Sequence, residues 1–386
     1  MKAVVCKNRQ LSVAERPDPR PGNGQVLLKV LRCGICGSDL HVRQHCDHWG
    51  KIMARSGYRS LTSPEQEVVF GHEFCGEVLD YGAGTRRSIR QGAQVVALPA
   101  LRRDNAIEMI GLSEHVSGAY AERMVVEESL MMPVPNGLSP KVAALTEPMS
   151  VGWHAVRRGE VKRADTAIVI GCGPVGLAVI CMLKARGVQT IVASDFSAAR
   201  RELAQRCGAH ILIDPAETSP FSNWKEFGHL PDVPALLELM LGTREKLAKV
   251  PLPWWHVWRL AEALGLNPKR PVIFECVGVP GVLQKIIDGA PQMARVVVVG
   301  VCMQPDQIEP SLAINKEIDL RFSLAYSPLE FRDTLHMMAD GKVRCEHLIT
   351  GEVGLEGVDA AFTALGDPNR HAKILVDPAS AQMQPA

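Results

Sequence analysis

The segment Ala164–Phe196, ADTAIVIGCGPVGLAVICMLKARGVQTIVASDF, restricts the possible folds more than any other part of this chain. It reads as a buried apolar strand, a glycine-rich turn, an apolar helix and a second buried strand. Gly171, Gly173 and Gly176 form GxGxxG at the turn. The first permits a tight turn, the second lets backbone approach a pyrophosphate, and the third lets the helix pack on its strand. The helix N-terminus then presents amide donors and a positive dipole end to the phosphates. Asp195 closes the second strand, nineteen residues after Gly176, where a carboxylate binds ribose hydroxyls. Asp195 also suits an N-cap before SAARRELA, and the two roles are compatible. Together these features predict a dinucleotide site. A carboxylate at that place repels a 2′-phosphate, so NAD is expected over NADP, with Arg200 and Arg201 working weakly the other way.

Further buried runs follow: HILID (His210–Asp214), VIFECVG (Val272–Gly278) and RVVVVGV (Arg295–Val301). Apolar strands alternating with helices predict an α/β fold with a doubly wound parallel sheet. Residues 1–156 differ, with short apolar runs broken by Gly and Pro, which predicts β-structure with many turns. Nearly sixty residues separate Asp214 from Val272, far more than a crossover needs. PALLELMLGTREKLAKV and WHVWRLAEALGL have helical spacing there, and Trp224, Trp254, Trp255 and Trp258 crowd the region. It reads as a helical insertion packing its own aromatics, with an oligomer contact or a lid over the cofactor as the sharper alternative. After Tyr326 come a helical stretch, Pro328–Gly341, and a tail ending in KILVDP.

The bulk numbers fit two globular domains: 386 residues, 46% of them hydrophobic. Forty-three basic against 42 acidic residues leave a charge of +1, which argues against nucleic-acid or anionic-membrane partners. Eleven cysteines lack framework spacing, MKAVVCKNRQ lacks a signal-peptide core, and no apolar run spans a bilayer. A cytoplasmic location with reduced thiols is expected.

CGICGSDLHV, Cys33–Val42, raises the question of a metal. No second CxxC follows at zinc-ribbon spacing, so a closed structural site is unsupported. GHEFCGEV places His72 beside Glu73, and TEPMSVGWHAV carries Glu147. One thiolate, one imidazole and one carboxylate make an open zinc site with a position left for water or substrate.

The stretches CGICGSDLH, GHEFCGEV with Gly82 following, LTEPMSVGWHAVRRG, GCGPVG, SDFSAAR, ECVG and VVVVGV occur in an order that resembles the medium-chain, zinc-dependent alcohol dehydrogenase superfamily, near its polyol (sorbitol) and butanediol dehydrogenase branch. The resemblance covers most of the chain outside two insertions. It implies a GroES-like catalytic domain over 1–156, a Rossmann NAD-binding domain over 157–326 with an insertion around 216–270, and a return segment over 327–386 that completes the catalytic domain. Cys36 and His72 would be zinc ligands, Glu73 and Glu147 the two candidate carboxylates, and Asp39 the group orienting the histidine. Ser38 and His41 resemble the proton relay, with Glu147 also beside the reacting groups. Cofactor contacts fall to Gly171, Gly173, Val175, Gly176, Asp195, Arg200, Val277 and Val299. The implied chemistry is hydride transfer between a secondary alcohol or its ketone and NAD, with a zinc-activated alcohol.

Three departures from the family pattern modify this expectation. HVRQHCDHWGKIMARSGYRSLTSPEQEVV is longer than the usual link, and its His45, Cys46 and His48 read as part of a loop shaping the pocket mouth. The positions that carry Tyr and Arg in polyol-handling relatives are Val42 and Ala325 here, with Tyr326 retained, which favours a less polar alcohol. The lobe VALPALRRDNAIEMIGLSEHVSGAYAERMVV holds no cysteine, only His115 and the scattered acids Asp104, Glu108, Glu114 and Glu122. One zinc per chain is therefore expected, with the lobe held by packing of Ile107, Met109, Ile110 and Leu112 against a neighbour. A zinc-free enoyl or quinone reductase and a catalytically silent cofactor-binding protein are the rival readings. A homodimer or homotetramer is the expected assembly.

Overall fold

Two large sheets organise the chain, and each follows a different sequence pattern. The computed structural model describes all residues except 59, 60, 62, 267 and 386. The first sheet has seven strands, with β1 (Gln25–Gly34) near its centre. Burial alternates along the first half of β1, as expected when one face meets the core.

The next element corrects a sequence expectation. The long link expected as a loop begins as a helix, α1 (Gly37–Arg55). Its buried residues, Asp39, Val42, Cys46 and Gly50, recur every three or four positions and form one stripe. His45 interrupts the helix with φ −126° and ψ 34°. Cys46 is buried while His45 is exposed, and among the described residues neither joins His48 in a metal-binding group. Three positions of the link, 59, 60 and 62, lie outside the described residues.

From α1 the chain enters β2 (Glu73–Tyr81), which pairs antiparallel with β1. The cysteine-free lobe is built on a hairpin, Ala100–Arg103 with Ala106–Met109. Ile110 and Leu112 pack into the chain's own core, whereas Ile107 is 59% exposed. Two of the four apolar residues thus anchor the lobe in the chain's own core. The Tyr58 hydroxyl reinforces it, donating to Glu108 at 3.3 Å and accepting from the Met109 amide at 2.9 Å.

Helix α2 (Thr146–Arg158) leads to the second sheet. There β3 (Thr166–Ile170), α3 (Pro174–Ala185), β4 (Thr190–Ser194), α4 (Ala198–Cys207) and β5 (Ile211–Ile213) build one half. The insertion supplies α5 (Val233–Ala248) and α6 (Trp254–Ala263), and β6 (Val272–Glu275), β7 (Arg295–Val298) and β8 (Asp319–Phe322) complete the sheet. The order is β5-β4-β3-β6-β7-β8, with every pair parallel. The order reverses between β3 and β6, and open α/β sheets bind ligands at such a point, beyond the carboxyl ends of the strands.

The insertion is helical, and its aromatics pack on each other. Trp254 lies edge-to-face with Trp255 at 6.0 Å and Trp258 at 6.2 Å, under the Arg244 guanidinium at 4.9 Å. Trp224 belongs to a separate short helix, Trp224–Phe227. Beyond β8, a helix over Pro328–Ala339 returns the chain to the first sheet. There β9 (Ile349–Val353) pairs with β10 (Lys373–Val376), and β10 pairs with the end of β1. Among the described residues no helix is long and apolar enough to cross a membrane.

Candidate active site

The end of β1, the start of α1 and the start of β2 bring the metal motifs together. Cys36 is the residue preceding α1, and its amide donates to the Asp39 carboxylate at 3.1 Å. The ligand atoms of Cys36, His72 and Glu73 all lie within 4.8 Å of one another. The Ser38 hydroxyl is 3.3 Å from His72 Nε2. On the other side of the ring, His72 Nδ1 faces Asp39 Oδ1 at 3.4 Å, without hydrogen-bond alignment. Asp39 is held by the buried Tyr120 hydroxyl, which donates at 2.7 Å. Burial acts against a charged His72, but Asp39 and Cys36 outweigh it and raise its pKa well above the ordinary value. The surroundings of this ring therefore favour a nearby positive charge. A borderline-soft cation such as zinc meets the same donor set, so the residues present fit the metal.

The two candidate carboxylates differ in their partners. Both Glu73 oxygens accept from Lys373 Nζ, at 2.8 and 2.7 Å, and the same ammonium donates to the Ile35 carbonyl at 2.9 Å. Lys373 and Glu73 are 1% and 0% exposed, so this is a fully buried pair. Glu147 enters from the first turn of α2 and is half-buried. Burial pushes its carboxyl up to about 7; Glu73 adds to the rise, while His72, the Tyr326 hydroxyl and Lys373 draw it down.

The sequence reading did not single out Lys373. A signal was available: KILV is a wholly buried strand, and a lysine inside such a run needs a buried anion. His41 shares α1 with Ser38 and is half-buried, with its pKa lowered by burial and by His45. Val42 is 1% exposed and lies in the core. Ala325 adopts φ +52° immediately before Tyr326.

The glycine-rich turn lies between β3 and α3. Gly171 has φ +90°, and a Cβ at Gly176 would meet the Gly171 carbonyl oxygen at 1.9 Å. A Cβ at Gly173 would find only the Arg200 guanidinium, at 3.9 Å, so the second glycine faces open space where a phosphate can approach. Asp195 Oδ2 accepts from the Cys172 amide at 2.7 Å and Oδ1 from the Ser197 amide at 2.8 Å. The N-cap of α4 is Ser197, not Asp195. Arg201 is held by Asp214 at 3.0 Å and by the Asp195 carbonyl at 2.7 Å. Arg200 Nε is buried without a partner. Val175 is half-buried at the start of α3, and Val277 and Val299 follow the carboxyl ends of β6 and β7. This cradle fits a dinucleotide.

A family model described as an alcohol dehydrogenase GroES-like domain matches residues 22–136, and one described as a zinc-binding dehydrogenase matches residues 174–340. The (R,R)-butanediol dehydrogenase of Bacillus subtilis is 30% identical over 98% of this chain and 100% of its own. The chain belongs to the zinc-dependent alcohol dehydrogenase superfamily. Within that superfamily it is also similar to sorbitol dehydrogenase of Bacillus subtilis, 28% identical over 98% of this chain and 97% of that one. The crystal structure of 2R,3R-butanediol dehydrogenase from Bacillus subtilis superposes with a TM-score of 0.72 at 29% identity, covering 98% of this chain and 99% of that one. A zinc-binding dehydrogenase structure from Sinorhizobium meliloti 1021, bound to NADP, gives 0.72 at 25% identity over 98% and 99% of the two chains. The fold class expected from sequence, a GroES-like unit beside a Rossmann-like one, is thereby established, as is membership of the polyol and butanediol branch. The protein is a zinc-dependent alcohol oxidoreductase, and the reductase and silent-protein alternatives are not favoured.

Proposed function

We propose that this dehydrogenase interconverts a small secondary alcohol and its ketone, with NAD as hydride carrier and zinc held by Cys36 and His72. The observation that carries the reading is the convergence of thiol, imidazole and carboxylate within 4.8 Å beside the Ser38 hydroxyl. Glu73 supplies the carboxylate of that group, since Lys373 takes one lone pair on each of its oxygens and leaves the others, and Glu147 is the second candidate carboxylate beside it. When bound, zinc supplies the Lewis acidity that makes an alcohol acidic near neutral pH, and the nicotinamide accepts the hydride. Ser38 takes the substrate hydroxyl proton at Oγ, and His41, one turn along α1, delivers it toward solvent. Asp39, itself held by Tyr120, lies beside Nδ1 of the His72 ring and orients it by charge.

Asp195 supports NAD: its oxygens are aimed by two backbone amides, and lone pairs remain for ribose hydroxyls. Arg201 is neutralised by Asp214, so only Arg200 is left to face a phosphate, over Gly173. Residues 1–156 and 327–386 form the catalytic unit, and 157–326 the cofactor unit. The core position of Val42 and the small Ala325 support a substrate with few hydroxyls, such as a butanediol.

The deciding experiment follows nicotinamide absorbance with 2,3-butanediol and with sorbitol, in the parent and in Cys36→Ala. Turnover is expected to be faster on the diol in the parent, and to vanish in the variant along with the zinc held at Cys36, while NADH binding persists. Full turnover by metal-free Cys36→Ala would refute the zinc mechanism.

A further inference from the structure

A second cluster of metal-ligating side chains lies outside both the catalytic group and the dinucleotide cradle. Cys181 projects from α3, Cys207 is the last residue of α4, and His347 sits in a single turn, Glu346–Leu348, that leads into β9. The two Sγ atoms and the imidazole nitrogen lie within 4.8 Å of one another. Cys207 Sγ is 3.3 Å from His347 Nε2, and Cys181 Sγ is 3.6 Å from the Arg344 carbonyl oxygen. Both thiols are buried and the histidine is half-buried.

We infer that Cys181, Cys207 and His347 form a second metal site, which takes a borderline-soft divalent cation such as zinc. Zinc–sulfur bonds of about 2.3 Å and zinc–nitrogen bonds of about 2.0 Å bring tetrahedral ligand atoms to roughly 3.5–3.8 Å from each other. The cluster already has this spacing to within about an ångström, a distance that side-chain torsions cover. Two thiolates and an imidazole select zinc over calcium or magnesium, which require oxygen ligands. Each thiol releases its proton on binding, and two thiolates cancel the charge of the dication, so the loaded site is neutral where it is buried. The fourth position is left to water.

An unmetallated alternative is a Cys181–Cys207 disulfide, but that bond closes at about 2.0 Å between the sulfurs and gives His347 no part. The ion instead joins three segments: two helices flanking the six-stranded sheet and the turn that returns the chain to the other sheet. Its effect is to pin the return segment, which also carries Lys373, to the cofactor unit. The count expected from sequence, one zinc per chain, becomes two, and the second lies far in sequence from the cysteine-free lobe.

Metal analysis of the full-length protein, expressed with zinc and dialysed free of loose ions, tests this. The parent is expected to keep about one more zinc per chain than either Cys207→Ala or His347→Gln. The difference between parent and variant reads this cluster alone, so it stands whatever occupies Cys36. Cobalt loading adds a second readout: thiolate-to-cobalt charge-transfer absorbance should fall in Cys207→Ala, and alcohol-dependent turnover per folded chain should be retained. His347→Gln, at a half-buried position, carries the measurement if Cys207→Ala does not fold. Equal metal content in the parent and His347→Gln overturns the inference, as does a Cys181–Cys207 disulfide in the purified protein.

Discussion

The Lys373 ammonium sits between both oxygens of Glu73 and the Ile35 carbonyl, closed to solvent beside the metal ligands. Removing one member of a buried pair strands the other charge, which costs about 3–5 kcal/mol. Lys373→Met should lower the unfolding free energy by that amount in urea titrations, and Lys373→Met with Glu73→Leu should recover most of it. A cost below about 1 kcal/mol for the single change would mean that Glu73 is not charged there. Asp195 makes the second prediction at this scale. A carboxylate opposing a 2′-phosphate disfavours NADP by about 1–3 kcal/mol. Asp195→Ser should narrow the kcat/KM ratio of NAD to NADP by roughly ten- to hundredfold. Equal efficiency with both cofactors before mutation would show that Arg200 prevails.

At the scale of elements, α1 and the 216–270 insertion show two ways in which local pattern meets packing. The buried stripe of α1 holds only two apolar side chains, Val42 and Cys46, beside Asp39 and Gly50. That pattern is too weak to announce a helix, and the helix depends on the core that Val42 and Cys46 join. The insertion has strong helical periodicity, yet α5 and α6 bury none of their residues completely. Phe221 and Phe227 pack it against the core under the sheet, and within it His229, 5% exposed, bridges to Lys269. Burial, helped by Lys269, lowers the His229 pKa from 6.5 to about 4. As pH falls, the unfolded chain takes up this proton first, so between those values the unfolded state binds more protons. The contribution to stability is complete above about pH 6.5 and is lost progressively toward about pH 4. His229→Gln should reduce the loss of urea midpoint between neutral pH and about pH 5. An unchanged pH profile in that variant would show that His229 titrates normally.

For the whole molecule, β8 is the last strand of the six-stranded sheet, and its outer edge has no partner strand among the described residues. Phe322 and Leu324 are 65% and 83% exposed along it, with Ile314 77% exposed nearby. An open apolar edge of this kind predicts a cover, and a second copy adding its own β8 is the expected one. Light scattering should return at least twice the chain mass for the parent. Leu324→Glu should shift the protein toward the monomer, and a monomeric parent at micromolar concentration would rule out this assembly.

The parallel sheet, the glycine-rich turn, Asp195 and the order of the metal motifs were readable without coordinates, because strand burial, turn chemistry and ligand type are written in short windows of sequence. Tertiary structure alone decided the rest. Glu73 meets Lys373 across 300 positions, and Cys207 meets His347 across 140. No local pattern contains such pairs; they exist because β10 is hydrogen-bonded to the end of β1, and because the turn before β9 lies against α3 and α4. Periodicity tells a residue which way to face, but its partner there is chosen by how the sheets and helices assemble.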